Sequence, residues 1–209
     1  VEFGLPLFID GARLGYGLAS PASAVTLPLL ARLADVFYIG GTKCGALFGE
    51  AVVICNPVIE ADFRDLIKQH GGMLAKGRLL GIQFGELLKG GEECLYFKLA
   101  RHANEMAYQI REIFVSNGYP MLFESDTNQQ YPIMSDEELA IIGKNFGYEY
   151  WTRVDETHSG VRFCASWATT QENVDALRMN GKLFFLDRPV ELLCPTADRP
   201  LSSTKESII

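Results

Sequence analysis

Apolar positions fall along this chain of 209 residues in two different rhythms. In its first quarter they come as short continuous runs: Leu7-Phe8-Ile9, Val36-Phe37-Tyr38-Ile39, and the β-branched stretch from Glu50 to Cys55. Unbroken apolar runs of this length, bounded by glycine and polar residues, read as strands buried in a sheet, the first two parallel. Between them, Leu27 to Leu33 is a short helical stretch with Thr26 as N-cap. Pro28 lies in its first turn, where a missing N–H costs nothing. After Asn56-Pro57 the period becomes helical. A helix is expected to about Gln69, a break at Gly71-Gly72, and a second helix from Leu74 to Leu88 that ends before Gly90-Gly91. Cys94 to Val115 then carries Leu95, Leu99, Met106, Ile110 and Ile113 at helical spacing, with Asn117-Gly118 as its stop.

Beyond that helix, Met121 to Phe123, Tyr131 to Met134, Tyr148 to Trp151 and Val161 to Cys164 read as strands. Two helices among them open on capping boxes, Ser135 with Glu138 and Thr169 with Glu172. The pattern predicts an α/β part with a mostly parallel sheet in residues 1–90. A small α+β domain in 91–187 follows, with an antiparallel sheet and helices on one face. Prolines and a Ser/Thr run leave 188–209 without periodicity, and a loose tail is expected there.

Both early strands end in chemistry. Leu7-Phe8-Ile9 stops at Asp10-Gly11-Ala12-Arg13, and Val36 to Ile39 stops at Gly40-Gly41-Thr42-Lys43. Ligands of open α/β sheets sit beyond the carboxyl ends of the strands, so an acid and an amine there face one ligand. The pair suggests pyridoxal phosphate: the amine forms a Schiff base with the cofactor aldehyde, and the acid pairs with the pyridinium nitrogen. Out of context Lys43 would be a solvated surface charge and Asp10 a turn cap, since Asp-Gly is a common turn pair. The backbone at Lys43 should nevertheless lie at the mouth of a buried strand, where desolvation lowers an amine's pKa. GGTKCG lacks the spacing of a nucleotide-binding P-loop.

Arg162 sits in a run that otherwise looks buried, and a buried guanidinium needs an anion. The residues alone leave two readings: an internal ion pair with an acid such as Asp155 or Glu156, or a carboxylate clamp. Lys68 and Lys76 lie on expected helices, where a solvated lysine is the default. His70, His102 and His158 share no metal-ligand spacing, so no metal site is expected; His102 reads as structural and the other two as possible site neighbours.

A formal charge of −7 argues against nucleic acid or an anionic membrane as the main partner. Five cysteines, Cys44, Cys55, Cys94, Cys164 and Cys194, form no CxxC pair and fit reduced thiols in a cytoplasmic protein. No apolar run approaches the roughly 18 to 20 residues that cross a bilayer. The chain opens on Val1, without Met, shortly before a strand that should lie deep in a sheet, and reads as a fragment.

These residues also carry a resemblance. DGAR at Asp10 to Arg13, TKxG at Thr42 to Gly45 with Gly49 after it, GGMLAKG at Gly71 to Gly77, and GVRF at Gly160 to Phe163 resemble the low-specificity threonine aldolase family. That family is a branch of the fold type I, aspartate-aminotransferase-like pyridoxal-phosphate enzymes. The resemblance implies the C-terminal part of a fold type I large domain and a small C-terminal domain, without the N-terminal part that supplies the main phosphate loop and stacking ring. It implies Lys43 as the Schiff-base lysine and Asp10, Arg13, Thr42 and Lys76 as further cofactor residues. Arg13, Lys68 and Arg162 would bind substrate, the two arginines through its carboxylate. Many relatives place an arginine directly after Gly-Gly-Met, where this chain has Leu74; either Lys76 substitutes for it or the contact is absent. The implied reaction is aldol cleavage of β-hydroxy-α-amino acids, threonine to glycine and acetaldehyde, in a homodimer or homotetramer with shared sites. Alternatives are a related β-eliminating lyase, a serine hydroxymethyltransferase-like enzyme, or a non-catalytic fragment.

Overall fold

The structure is a computed structural model, and it describes residues 3–185. The expected loose tail, 188–209, lies outside the described residues. Strand β1 (Phe8–Ile9) is followed by α1 (Leu14–Leu18), a short helix with no amphipathic signature in the sequence, and by α2 (Leu27–Leu33). The Thr26 hydroxyl accepts from the Leu29 amide and caps α2 as expected. Strands β2 (Val36–Gly40) and β3 (Glu50–Ile54) complete a three-stranded sheet in the order β1-β2-β3.

β1 pairs with β2 in parallel and β3 with β2 antiparallel, so the described part of this sheet is mixed. One residue fixes its far edge. Asp35 accepts from the Leu7 amide at 2.7 Å through one carboxylate oxygen and from the Asn56 amide group at 2.7 Å through the other. With the strand starts held there, the ends of β1 and β2 emerge together at the opposite edge.

The helix expected from Asn56 to Gln69 is two helices, α3 (Pro57–Glu60) and α4 (Phe63–Gln69). The chain breaks at Asp62, whose φ of 61° is left-handed and is tolerated by a short polar side chain. The next helix, α5 (Arg78–Leu88), starts a turn later than Leu74 because the stretch between Gly72 and Gly77 stays in turns. The long helix is α6 (Leu95–Ser116).

The strand expected from Tyr131 to Met134 is β5 (Ile133–Ser135), starting two residues later, and a short β4 (Gln129–Gln130) that was not expected precedes it. Pro132 between them cannot donate to a ladder, and the run divides there. Met121 to Phe123 is not a strand; it contributes one isolated bridge, Met121 to Pro132. Helix α7 (Asp136–Ile142) carries the capping box of Ser135 and Glu138. Strands β6 (Glu149–Arg153) and β7 (His158–Cys164) follow, then α8 (Gln171–Phe185). The cap of α8 is shifted by one residue from the expected pair: the Thr170 hydroxyl accepts from the Asn173 amide, while Thr169 accepts from the Ser166 amide.

β7 is the centre of the second sheet, with β4 and β5 along one edge and β6 along the other, all antiparallel. Val161, Phe163 and Ala165 face inward and pack with Met106, Ile110, Ile113 and Phe114 of α6, Leu139 and Ile142 of α7, and Val174 and Leu177 of α8. The first half of α6 faces the other core, where Tyr96, Ala100 and Ala103 meet Tyr16, Phe37, Ile39 and Phe84. One helix of 22 residues, about 33 Å long, thus serves both cores.

Candidate active site

The edge where β1 and β2 end is built by close backbone approach. A Cβ on Gly11 would fall 1.6 Å from the Tyr38 carbonyl oxygen, and one on Gly40 would fall 2.2 Å from the Ala12 carbonyl oxygen. Only glycine lets the two strand ends touch, and the Gly40 amide donates to the Gly11 carbonyl at 2.9 Å. Asp10 and Lys43 leave this junction from adjacent strands.

Lys43 sits in a 3-10 turn, Thr42–Cys44. The Cys44 and Ala46 amides donate to the Gly41 carbonyl, and the Gly41 amide donates to Glu50 at 2.9 Å, which closes the turn onto the start of β3. From below, the Tyr16 hydroxyl donates to the Lys43 carbonyl and the Tyr96 hydroxyl donates to the Gly40 carbonyl at 3.0 Å. Tyr96 also accepts from the Gly15 amide at 3.0 Å. Burial pushes both phenols well above the ordinary tyrosine range, so both stay protonated donors. The backbone of the turn is thereby rigid while the Thr42 and Lys43 side chains are exposed. The desolvation expected of the Lys43 amine is not provided by the described residues.

Asp10 is exposed. Its Oδ1 accepts from the Ala12 amide at 3.0 Å and from the Tyr38 hydroxyl; Oδ2 has no partner among the described residues. The Tyr38 hydrogen bond, then that from Ala12, then the charges of Lys43 and Arg13, hold its carboxyl below the usual range. It is therefore an anion beside two cations.

Arg162 is engaged. Its guanidinium donates to Gln129 at 3.1 Å and to Glu149, lies 5.6 Å from the Trp151 ring centroid, and keeps a buried Nε with no partner among the described residues. The ion-pair partner is Glu149 across the β6–β7 ladder, not Asp155 or Glu156: Asp155 pairs with His158, and the Glu156 carbonyl accepts from Arg153. Burial raises Tyr131 and Cys164, and the charges of Arg162 and Arg13 oppose that rise in both. The charge of Arg13 is thus felt both at Asp10 and at Tyr131 and Cys164.

The charges of Lys43 and Arg13 bear on Asp10, and those of Arg13 and Arg162 on Tyr131 and Cys164; Lys68 and Lys76 stand apart. Lys68 is in the last turn of α4 and Lys76 in the turn before α5, not on a helix; both are exposed and neither side chain makes a hydrogen bond or ion pair among the described residues. His102 is structural, 2.7 Å from the Thr169 carbonyl; His158 pairs with Asp155 at the end of β7 away from Arg162, and exposed His70 caps α4. No group of three metal-ligating side chains gathers among the described residues. Sequence reasoning missed Tyr38, Glu149 and Trp151. Tyr38 had a signal, since it is the residue with a polar tip in an otherwise apolar run.

No protein-family model matches the chain. It is 30% identical over 181 residues to a low specificity L-threonine aldolase of Pseudomonas sp. (strain NCIMB 10558), a match covering 84% of this chain and 49% of the relative. A solved threonine aldolase of Leishmania major superposes with a TM-score of 0.83 at 38% identity, over 88% of this chain and 53% of that one. The chain is a relative of the low-specificity threonine aldolases. It spans about half the length of the curated relatives it matches, 49% and 51%. Sphingomonas wittichii serine palmitoyltransferase matches at TM-score 0.57 and 12% identity, covering 87% of this chain and 47% of its own, a likeness of fold alone. The fold type I assignment read from the motifs therefore holds.

The donor set fits the pyridoxal phosphate that this fold implies. It consists of an anion with one free oxygen and an exposed amine on a rigid turn, joined by a glycine junction that admits no side chain.

Proposed function

We propose that the protein of which this chain is part cleaves the Cα–Cβ bond of β-hydroxy-α-amino acids, threonine to glycine and acetaldehyde being the type reaction. The observation that carries this reading is the placement of Asp10 just past the end of β1 and Lys43 just past the end of its parallel neighbour β2. Pyridoxal phosphate, when bound, supplies the electron sink for the pair released as the bond breaks. Lys43 Nζ would be the amine that holds the cofactor. Asp10 Oδ2 keeps a proton on the ring nitrogen. Arg13 and Arg162 take the substrate carboxylate, whose two oxygens match a guanidinium fork; at Arg162 the carboxylate takes the place of Glu149. Thr42 and Lys76 would contact the cofactor and Lys68 the substrate, roles that the resemblance implies.

The two buried cores support a division into residues 1–90 and 91–187, with α6 belonging to both. Kinship supports a dimer or tetramer with shared sites, in the cytoplasm. No described helix is long and apolar enough to cross a membrane.

The test is an absorbance spectrum of the chain with added pyridoxal phosphate, followed by borohydride reduction and peptide mapping. A near-visible band that reduction converts to a stable adduct on Lys43, and that Lys43→Ala abolishes, supports the reading and leads to a threonine-cleavage assay. An adduct of equal yield in Lys43→Ala sinks it.

A further inference from the structure

We propose that Tyr38 is a positioning residue for the ring-nitrogen partner: its hydroxyl occupies Oδ1 of Asp10 and so presents Oδ2 to a protonated heterocyclic nitrogen. This rests on the reading of Asp10 given above. Two donors converge on Oδ1, the Ala12 amide at 3.0 Å and the Tyr38 hydroxyl. The Ala12 contact is a local turn that any Asp-Gly-Ala could make. The Tyr38 contact crosses from β2 to β1 and depends on their register, in which Ile9 lies opposite Phe37 and Asp10 is next to Tyr38. Phe37 and Ile39 point into the core, so the alternation of β2 turns Tyr38 to the other face. Its ring also packs 6.0 Å from Phe8, which limits its swing.

The charged groups around the pair agree with this role. Lys43 and Arg13 face Asp10, and Glu50 faces Tyr38. The Asp10 carboxylate, chief among these influences, pushes Tyr38 up to about 12, so the phenol remains a donor. Tyr38 and Lys43 leave the same strand, and β2 therefore sets both poles of the ligand: the amine directly and the acid through Tyr38.

Tyr38→Phe in the full chain removes the hydroxyl and keeps the ring. Binding of pyridoxal phosphate is compared with binding of its 1-deaza analogue, which has a carbon in place of the ring nitrogen. We expect Tyr38→Phe to weaken pyridoxal phosphate about tenfold while the analogue binds as to the unmodified chain. Equal weakening of both ligands would mean a merely structural role and would overturn the proposal, as would no weakening of either. In the ligand-free chain, carbon-13 NMR of labelled aspartates should show Asp10 titrating higher in the variant, because the hydrogen bond that chiefly lowers it is gone. An unchanged titration would overturn the proposal too. If the unmodified chain forms no Lys43 adduct, the proposed function fails; the carboxyl titration still decides whether Tyr38 holds Asp10.

Discussion

The two sheets are covered differently. Behind β7, three helices close one face, and the apolar residues that point inward, Val161 and Phe163, are 0% and 5% exposed. In the β1-β2-β3 sheet the inward face is as well filled, by Phe37 and Ile39, but Phe8 and Val52 on the other face are 60% and 50% exposed. Continuous apolar strands are suited to burial on both faces, and the described residues cover one fully and the other only in part, around Val36. Both sheets are filled on one face; outside it the second carries Tyr150 and Trp151, 62% and 47% exposed, whose rings have polar tips, where the first carries the purely apolar Phe8 and Val52. The residues proposed for chemistry leave its edge.

Three measurements would break or sharpen this contrast. Phe114 is fully buried against Tyr119 and Phe163, with ring centroids 5.7 and 4.9 Å away, and Phe114→Ala should cost about 3–5 kcal/mol in urea unfolding. A loss below about 1 kcal/mol would mean that this core is not the tight unit described. Tyr96→Phe leaves the Gly15 amide and the Gly40 carbonyl without their shared partner and should cost about 1–3 kcal/mol. The same variant should loosen the lysine turn, read as faster amide exchange at Gly40 and Gly41; unchanged exchange would detach Tyr96 from the site. Val52→Thr, on the open face, should change stability by less than about 0.5 kcal/mol. A cost several times larger would show that this face is covered in solution.

The motifs and the helical period made most of the elements legible. Thr26, Asn56-Pro57 and Ser135 each carry their capping signal in the local sequence, and α2, α3 and α7 begin where those signals stand. The misplaced elements have contextual causes. Asp62 turns left-handed inside an otherwise helical period, Pro132 divides a strand that composition alone would join, and Thr170 takes the capping role from Thr169. Each is a choice between locally similar options.

At the candidate site the division is similar. Asp10, Lys43 and Arg162 drew attention because an acid, an amine or a guanidinium at a buried strand is chemically conspicuous; Arg13 by itself reads as a surface cation and was singled out by the resemblance alone. The partners of Asp10 and Arg162 did not: Tyr38 reaches Asp10 only because β1 and β2 pair in parallel in one register, and Glu149 meets Arg162 only across the β6–β7 ladder. By itself the sequence determined which groups could do chemistry and that strands would end in them, since both are local properties of residue type and period. Tertiary structure alone decided which oxygen of Asp10 stays free, which acid holds Arg162, and that Phe8 and Val52 on the outer face of the first sheet remain exposed. Those depend on register and packing between segments far apart in the chain, where a shift of one residue exchanges every partner.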